Sequence, residues 1–369
     1  MEGLVVNGLF GGVYRGRRVL VTGHTGFKGS WLVLWLQQLG AHVSGLALPA
    51  QGAPNHSRLL RLPLDEALID LRDAGLVRST LRRFEPEFVF HLAAQPLVRR
   101  SYREPAATFD TNVMGLVHLL DAVRATPSVR VVVNATTDKC YRNPEHGRAF
   151  REGDALGGHD PYSASKACAE IVSASYRDAF LAHDDGRGHA VALATARAGN
   201  VVGGGDWGED RLIPDLVRAA AVAAVTPIRH PAAVRPWQHV LEPLAGYLCL
   251  GQQLLADPAG AAEAWNFGPP PQAHRQVREV VDAFAAAWPA VRYAADTDAH
   301  PHEAHSLHLD CRKAQERLRW RAVWDLPTTL RRSALWYRRQ HEQHTLSSHD
   351  DLQQYVADAR AGGLAWAAG

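Results

Sequence analysis

The sequence predicts an α/β protein with a doubly wound parallel sheet and a smaller mixed α/β region beside it. From Arg17 to about Gly199, short apolar runs alternate with longer helical patterns, as a parallel sheet covered by helices requires. The apolar runs are continuous, as in strands that are buried on both faces. After Asn200, glycines and prolines divide the chain into short pieces, which predicts the smaller region.

Each apolar run predicts a strand, and each longer amphipathic stretch predicts a helix. Ligands of such sheets bind at the carboxyl ends of the strands, so that edge is the predicted site. The predicted strands cover residues 18–22, 42–48, 88–92, 131–134 and 190–197, with one more before Asp70. The predicted helices cover residues 30–39, 74–84, 111–124 and 163–180.

Composition and charge exclude several classes of protein. Hydrophobic residues make up 46% of the 369 residues and charged residues 21%, which excludes whole-chain disorder, collagen and disulfide-stapled miniproteins. The net charge of +2 gives no electrostatic footprint for nucleic acid or for an anionic membrane. No apolar run predicts a membrane span, no early basic region predicts a signal peptide, and no C-x-x-C pair occurs. We therefore expect reduced thiols and a cytoplasmic protein.

Lysine is rare in this chain. The 40 basic residues include only four lysines, namely Lys28, Lys139, Lys166 and Lys313. A lysine can lose its proton when buried, whereas an arginine effectively cannot, so the two are not interchangeable. The first three lie inside the motifs described below, and Lys313 is expected to be a surface residue.

A glycine-rich turn follows the first predicted strand directly. Gly23, Gly26 and Gly29 have the spacing G-x-x-G-x-x-G, and such glycines let the backbone approach a pyrophosphate at a helix N-terminus. A P-loop kinase would need Gly-Lys-Ser, whereas the order here is Lys28, Gly29, Ser30. The turn therefore favours a dinucleotide over a nucleoside triphosphate, with a purely structural turn as the alternative.

The residue that usually selects NAD over NADP is missing from its expected place. Dinucleotide sites place a carboxylate at the end of the second strand, but this strand ends in Leu48 and Pro49. NAD is the expected cofactor, with NADP as the alternative. Asp70 is a candidate acceptor for the adenine amino group, and Asp73 is equally consistent with a carboxylate that begins a helix.

Tyr162 and Lys166 lie four residues apart at the start of a long helical pattern, and so on one face of the helix. An ammonium beside a phenol favours the phenolate and lowers the pKa of the tyrosine from about 10. Such a tyrosine can take the proton of a sugar hydroxyl while hydride leaves the same carbon. The alternative is a surface tyrosine with a solvated lysine.

Thr137, Asp138 and Lys139 follow the predicted strand 131–134, at the edge where ligands bind. A carboxylate and an amine at this place indicate an acid–base pair whose pKa values are set by burial and by their mutual charge. The alternative is a turn with two exposed charges.

The motifs extend over much of the chain, from about residue 17 to residue 337. The stretches are T-G-H-T-G-F-K-G-S-W (22–31), H-L-A-A-Q-P-L-V-R (91–99), T-N-V-M-G (111–115), D-K-C-Y (138–141), D-P-Y-S-A-S-K-A-C-A-E (160–170), R-A-G-N-V-V-G-G-G-D-W (197–207), R-P-W-Q-H-V-L-E-P-L (235–244) and H-P-H-E-A-H (300–305). Together they resemble the extended short-chain dehydrogenase/reductase family, and within it the CDP-glucose 4,6-dehydratases. The resemblance implies a Rossmann-like fold.

The resemblance also implies a redox-neutral dehydration of CDP-glucose to CDP-4-keto-6-deoxyglucose that needs NAD only in catalytic amounts. Tyr162, activated by Lys166, would take the C4 hydroxyl proton while Thr137, where close relatives usually carry Ser, holds that hydroxyl. Asp138 would protonate the departing C6 hydroxyl, and Lys139 would remove the C5 proton. Many related dehydratases carry Glu in place of Lys139.

Binding residues are carried over from the family motifs in the same way. Arginine side chains bind phosphates well, because a guanidinium can donate two hydrogen bonds to one phosphate. The H-x-H-x-x-H spacing at 300–305 is not a standard zinc pattern, so no metal is expected. The implied substrate-binding residues are Gln95, Asn200, Arg211, Arg235 and Glu303. The implied cofactor-binding residues are Gly23, Thr25, Gly26, Phe27, Lys28, Gly29, Asp70, Leu71, Leu92, Ala93, Ala94, Tyr162 and Lys166.

The same resemblance sets the expected domain organisation. An NAD-binding domain covers residues 17–200, with a returning segment at about 237–266. Residues 201–236 and 267–340 form a nucleotide-sugar-binding region, and a partly disordered tail covers 341–369. The family pairs subunits through helices 111–124 and 163–180, so a homo-oligomer is expected.

Two other functions stay open. Another nucleotide-sugar dehydratase or a 4-epimerase would use the same scaffold, but an epimerase needs no acid–base pair at C5, and Asp138 with Lys139 argues against it. A non-catalytic NAD-binding regulatory protein belongs to a different class, and Tyr162 with Lys166 argues against it.

Overall fold

The structure is a computed structural model that describes residues 8–144, 147–182, 189–296 and 307–368. Its strands alternate with helices along the first half of the chain and become short in the second half. The strands are β1 (Arg18–Thr22), β2 (His42–Ala47), β3 (Asp65–Leu68), β4 (Phe88–His91), β5 (Val131–Ala135), β6 (Ala192–Ala198), β7 (Val201–Val202), β8 (Val225–Ile228), β9 (Val234–Pro236), β10 (Gln238–His239), β11 (Ala264–Phe267), β12 (His274–Gln276) and β13 (Arg292–Ala295).

Helices cover both faces of the sheet and connect its strands. Two of them pass into a π-helical turn, at Asp110–Met114 and Arg177–Leu181, and a 3₁₀ turn at Asp138–Cys140 follows β5. The α-helices are α1 (Phe27–Gln38), α2 (His56–Leu60), α3 (Ala74–Phe84), α4 (Val98–Arg103), α5 (Pro105–Phe109), α6 (Gly115–Arg124), α7 (Pro161–Tyr176), α8 (Leu212–Ala221), α9 (Leu241–Ala256), α10 (Pro258–Ala261), α11 (Val277–Ala287), α12 (Arg312–Arg317), α13 (Leu326–Gln343) and α14 (Ser348–Ala361).

The predicted doubly wound parallel sheet is confirmed. Seven strands lie in the order β11-β6-β5-β4-β1-β2-β3, and all of their pairings are parallel. Strand β1 pairs with β2 on one side and with β4 on the other, so the winding reverses at β1. In such sheets the ligand crevice opens at this reversal, beyond the carboxyl ends of the strands.

Helix α1 is buried on nearly all sides because its sequence is apolar all round. Trp31 and Trp35 in this helix are fully buried. The helix packs against the sheet on one side and against α14 on the other. This rigid packing holds the N-terminus of α1, and with it the glycine turn, against the end of β1.

Strand β11 extends the sheet beyond β6 after the chain has left the sheet and returned through α9. Lys313 of α12 supports this added strand. Its ammonium donates to the carbonyl oxygen of Ala264 at 2.7 Å, pairs with Glu263 at 2.6 Å and lies over the ring of Trp265. The expectation of a plain surface lysine is therefore wrong, because its partners lie on a strand far away in the sequence.

The expectation of a partly disordered tail is also wrong. In α14, the side chains of Leu352, Tyr355 and Val356 are buried. Their helical spacing places them on one apolar face, which packs against the rest of the protein. The ring of Tyr355 packs edge-on against Trp35, and Trp366 stacks on Phe10 at 5.0 Å between ring centroids. The tail thus completes the cover of α1.

The smaller region consists of two-stranded pairs and helices around a separate apolar core. Strands β7 with β10 and β8 with β13 are parallel, whereas β9 with β12 is antiparallel. Helices α8, α11 and α13 supply most of this core, with Phe284 and Trp336 fully buried. Among the residues that the structure describes, no helix combines the length and the apolar character needed to cross a membrane.

Candidate active site

The glycine turn brings β1, α1 and the end of β4 into backbone contact. Gly23 has a φ of +73°, and a Cβ there would lie 2.7 Å from the nitrogen of Ala93. A Cβ on Gly29 would lie 2.1 Å from the carbonyl oxygen of Gly23. Gly26 begins α1 without a side-chain cap, which leaves the first amides of the helix free to bind an anion. These residues fit the pyrophosphate of a dinucleotide.

The other expected cofactor-binding residues of this region lie in the glycine turn or in the loop that follows β4. Thr25 donates its hydroxyl to the carbonyl oxygen of Leu48, which fixes the end of β2. The backbone nitrogens of Leu92 and Ala93 both donate to the hydroxyl of Thr22 at 3.2 Å. Phe27 begins α1. Ala94 follows directly in the chain, at the carboxyl edge of the sheet.

Asp70 and Asp73 follow β3 and have different partners. Arg72 holds the Asp70 carboxylate through Nη2 at 2.6 Å, and this hydrogen bond lowers the pKa of Asp70. Asp73 accepts from the backbone nitrogen of Leu76 and so begins α3, as the alternative for this residue predicted. Leu71, between them, is buried.

The structure brings a carboxylate to the glycine turn that the sequence did not indicate. His24 Nε2 lies 2.6 Å from Glu66 Oε2, and a Cβ on Gly45 would lie 2.5 Å from the His24 ring. The His24 ring therefore packs against Gly45 on β2 and hydrogen-bonds Glu66 on β3. Glu66 was missed because it lies 42 positions away, on another strand.

Residues 137–139, called the acid–base segment below, turn sharply at the carboxyl end of β5. The Thr137 hydroxyl donates to Asp138 Oδ1 at 3.1 Å and accepts from the backbone nitrogen of Lys139. Asp138 is buried, and this burial raises its pKa, with an opposing effect from the charge of Lys139. A raised pKa is the direction that a general acid needs. Lys139 is half-buried.

Tyr162 and Lys166 lie buried in the first turns of α7, beside the acid–base segment. Lys166 Nζ donates to the carbonyl oxygen of Ala135 at 3.1 Å. Burial raises the pKa of Tyr162 to about 12, partly offset by a hydrogen bond with Thr137. The expected lowering of this pKa by Lys166 is therefore wrong for the protein's own groups, because desolvation dominates. Burial also lowers the pKa of Lys166 to about 8.

Lys28 links the glycine turn to the acid–base segment. Its ammonium lies 3.4 Å from the hydroxyl of Tyr247, and its charge acts on Asp138. Burial lowers the pKa of Lys28 to about 8. The motif marked Lys28 as a residue of the glycine turn, but its position beside Asp138 depends on the tertiary fold.

The two expected substrate arginines act on different residues of the site. Arg211 binds both carboxylate oxygens of Asp206, at 3.0 and 3.1 Å, and its charge lowers the pKa of Tyr162. Arg235 lies in the middle of β9, and its charge lowers the pKa of Asp138. Both arginines thus act through their charge on Tyr162 or Asp138.

Gln95 and Asn200 lie at the carboxyl ends of β4 and β6. The Gln95 amide donates to the hydroxyl of Thr108 at 2.9 Å, and its backbone nitrogen donates to Asn112. The carbonyl oxygen of Asn200 accepts from the backbone of Gln238 at 3.3 Å. Glu303 lies outside the described residues.

Beneath the acid–base segment lies a buried ion pair that the sequence analysis missed. Arg197 Nη2 donates to Glu170 Oε2 at 2.8 Å, and both side chains are almost fully buried. Glu170 also accepts from the hydroxyls of Thr136 and Thr195. Glu170 is part of the motif that contains Tyr162, but its partners are 25 to 34 positions away.

Known proteins are similar to this chain over most of its length. A family model described as GDP-mannose 4,6 dehydratase matches residues 20–244. A CDP-glucose 4,6-dehydratase from Salmonella typhimurium is 45% identical over 349 residues, covering 93% of this chain and 97% of that protein. The chain belongs to the nucleotide-sugar 4,6-dehydratase family.

Other members of the nucleotide-sugar 4,6-dehydratase family are more distant. A dTDP-glucose 4,6-dehydratase from Streptomyces antibioticus is 30% identical, covering 87% of this chain and 92% of that protein. A solved structure of a dTDP-glucose 4,6-dehydratase from Streptomyces venezuelae, with NAD bound, is 28% identical with a TM-score of 0.72. The match covers 88% of this chain and 98% of the chain of that structure. The parallel sheet described above is thus the fold of this dehydratase family.

Proposed function

We propose that this chain is an NAD-dependent CDP-glucose 4,6-dehydratase, a hydro-lyase that converts CDP-D-glucose to CDP-4-keto-6-deoxy-D-glucose and water. The observation that carries the proposal is the full-length similarity to a CDP-glucose 4,6-dehydratase. The burial of Asp138 next to Lys139 supports it, because dehydration needs an acid and a base beyond the tyrosine that oxidation needs. The product belongs to deoxysugar biosynthesis.

The glycine turn and the first amides of α1 would hold the pyrophosphate of NAD. Gly23 and Gly29 leave no space for a Cβ, so a ligand can approach the backbone there closely. Bound NAD would supply the acceptor for the hydride of C4 and, in its reduced form, the hydride for C6. Since the hydride returns, the reaction leaves no net reduced nicotinamide.

Tyr162 acts as the base in the first half of the reaction. It takes the proton of the C4 hydroxyl, and Thr137 hydrogen-bonds that hydroxyl. The pKa of about 12 means that the phenol is protonated at neutral pH, so its deprotonation must be favoured by positive charge. Arg211 already lowers this pKa, and the ammonium of Lys166 lies one turn further along α7.

Asp138 and Lys139 act in the second half, after C4 has become a ketone that acidifies the C5 hydrogen. Lys139 removes the C5 proton, the C5–C6 double bond forms, and the C6–O bond breaks. Asp138 gives its proton to the departing oxygen, which leaves as water. Lys139 then returns a proton to C5 when C6 has been reduced. Burial raises the pKa of Asp138, which is the direction that a general acid needs.

The second half of the chain would hold the nucleotide. Arg211 and Arg235 carry the charge that the diphosphate needs, and a guanidinium can donate two parallel hydrogen bonds to a phosphate. We place Gln95, Asn200 and Glu303 around the sugar and the nucleotide by family position.

A homo-oligomer is also proposed. Phe109, Met114, Ile171 and Phe180 lie on or beside α5, α6 and α7 and expose large apolar side chains, with Ile171 at 58%. Such a surface fits a second copy of this chain. We also propose the cytoplasm as its location, since its four cysteines are free thiols.

Incubation of the purified protein with CDP-glucose and NAD, followed by proton NMR, tests the function. We expect a 6-methyl signal to form without net reduced nicotinamide. Formation of a C4 epimer would instead support an epimerase, and absence of turnover with CDP-glucose would contradict the proposal. UDP-glucose and dTDP-glucose serve as matched controls for the nucleotide.

A further inference from the structure

Two successive turns of α7 hold two successive residues at the end of β5. Lys166 donates its ammonium to the carbonyl oxygen of Ala135 at 3.1 Å. One turn later, Glu170 accepts a hydrogen bond from the hydroxyl of Thr136. The next residue in the chain is Thr137, so these contacts fix the point at which the acid–base segment begins.

Arg197, the partner of Glu170, fixes the other end of the same segment. Its Nη1 donates to the hydroxyl of Tyr141 at 2.8 Å and to the carbonyl oxygen of Glu152 at 2.9 Å. The Tyr141 hydroxyl donates in turn to Asn266 Oδ1 on β11, at 2.7 Å. The ion pair therefore contacts a residue on each side of the acid–base segment.

The buried ion pair of Glu170 and Arg197 costs desolvation energy, so its contribution to the stability of the fold does not explain its presence. Burying an ion pair costs desolvation energy that its own attraction barely repays, so apolar residues of similar size often stabilise a fold as well. A buried network with many bonds, in contrast, favours a single geometry. Arg197 bonds through Nη1 and Nη2, and its Nε has no partner among the described residues. Glu170 accepts from Thr136, Thr195 and Arg197, so its two oxygens are well satisfied.

We propose that the Glu170–Arg197 pair is a positioning device for the acid–base segment, acting through Thr136 on one side and Tyr141 on the other. Neither side chain is assigned a contact with substrate. The pair holds the Asp138 carboxyl at a fixed place relative to Tyr162. This inference rests on the proposed function, because it concerns the elimination step of that reaction.

Thr136→Val is the sharpest test, because valine is close to threonine in shape and lacks the hydroxyl that donates to Glu170 Oε1. Glu170 keeps its bonds to Thr195 and Arg197. Ser173→Ala is the matched control, since Ser173 accepts from Asn134 at 2.9 Å and so also joins β5 to α7, but farther from the segment. We expect kcat with CDP-glucose to fall on the order of tenfold in T136V with KM unchanged, and by less than about twofold in S173A.

A second substrate separates positioning from a general loss of structure. In CDP-6-deoxy-6-fluoroglucose the leaving group is fluoride, which departs as an anion and needs little from a general acid. If T136V misplaces Asp138, its rate relative to wild type is restored with the fluoro substrate. Tyr141→Phe removes the second anchor and should show the same pattern.

Two results would overturn the inference. One is an equal loss of kcat in T136V and S173A, and the other is an equal slowing of both substrates in T136V and Y141F. The wild-type protein in the same assays tests the proposed function separately. Wild-type turnover with an unimpaired T136V contradicts the positioning role alone, whereas absence of wild-type turnover contradicts the dehydratase itself.

Discussion

The Thr137 hydroxyl donates to the carboxylate of Asp138 at 3.1 Å, and the same side chain lowers the pKa of Tyr162. One small side chain therefore connects the group that would oxidise C4 with the group that would protonate the C6 oxygen. The two halves of the proposed reaction share a single wall of the crevice, formed by β5 and α7.

Asp138→Asn should leave oxidation at C4 intact and block the loss of water. Asparagine keeps the shape of the side chain but has no acidic proton to give. Loss of a general acid costs about 10²- to 10⁴-fold, so reduced nicotinamide should accumulate while the 6-methyl product does not. Absorbance of reduced nicotinamide and NMR of the sugar measure the two steps. Wild-type product formation in D138N would refute the acid assignment.

Lys139→Met should also stop the reaction after oxidation, because the C5 proton then has no base. Lys139→Glu is the informative control, since a carboxylate is itself a base and many related dehydratases carry Glu here. We expect measurable product from K139E and almost none from K139M. Exchange of the C5 hydrogen in D₂O reports the step directly. Normal exchange in K139M would assign the base to another group.

Gly29→Ala should weaken the binding of NAD. A Cβ there would lie 2.1 Å from the carbonyl oxygen of Gly23, so the glycine turn must shift. Overpacking of this kind costs about 1 to 3 kcal/mol, so the Kd for NAD should rise by about 5- to 150-fold, as measured by calorimetry. Gly153→Ala is the control, because no atom lies within 4 Å of its Cβ position. Equal Kd values for the two variants would be evidence against the proposed pyrophosphate site.

Glu242 should make stability depend on pH. It is fully buried, accepts from the backbone of Val323 and Trp324 and from Tyr355, and has a pKa raised by burial from 4.5 to about 7. The native state therefore binds more protons than the unfolded state between these values. Its contribution to the free energy of unfolding is present below pH 4.5 and is lost as pH rises through about 7.

Glu242→Gln isolates this contribution, because glutamine does not titrate. The difference in free energy of unfolding between wild type and E242Q should change by on the order of 3 kcal/mol between these two pH values. Urea unfolding at several pH values gives the measurement. A difference that is independent of pH would show that Glu242 does not titrate in this range.

Much of the sheet could be predicted from sequence, since its strands are continuous apolar runs and its helices show regular spacing. Strand 18–22 and helix 74–84 have the predicted bounds. Strand β11 was not predicted as a strand, because its pairing with β6 depends on the chain returning through α9. The order of α14 was also missed, although Leu352, Tyr355 and Val356 have helical spacing.

The chemistry of the site was predicted less completely, because burial and long-range partners are not local properties. Spacing placed Tyr162 and Lys166 on one helix face, but it could not show that desolvation raises the pKa of Tyr162. Nor could it show that Glu170 meets Arg197 and Thr136, since three separate elements bring them together.

Transfer of deuterium within the substrate tests the central claim most directly. CDP-glucose carrying deuterium at C4 is incubated with the protein and NAD, and the product is analysed by NMR and mass spectrometry. A 4,6-dehydratase moves that deuterium to C6 and yields a singly deuterated methyl group. Deuterium that remains at C4, or that is found in free reduced nicotinamide, would contradict the account.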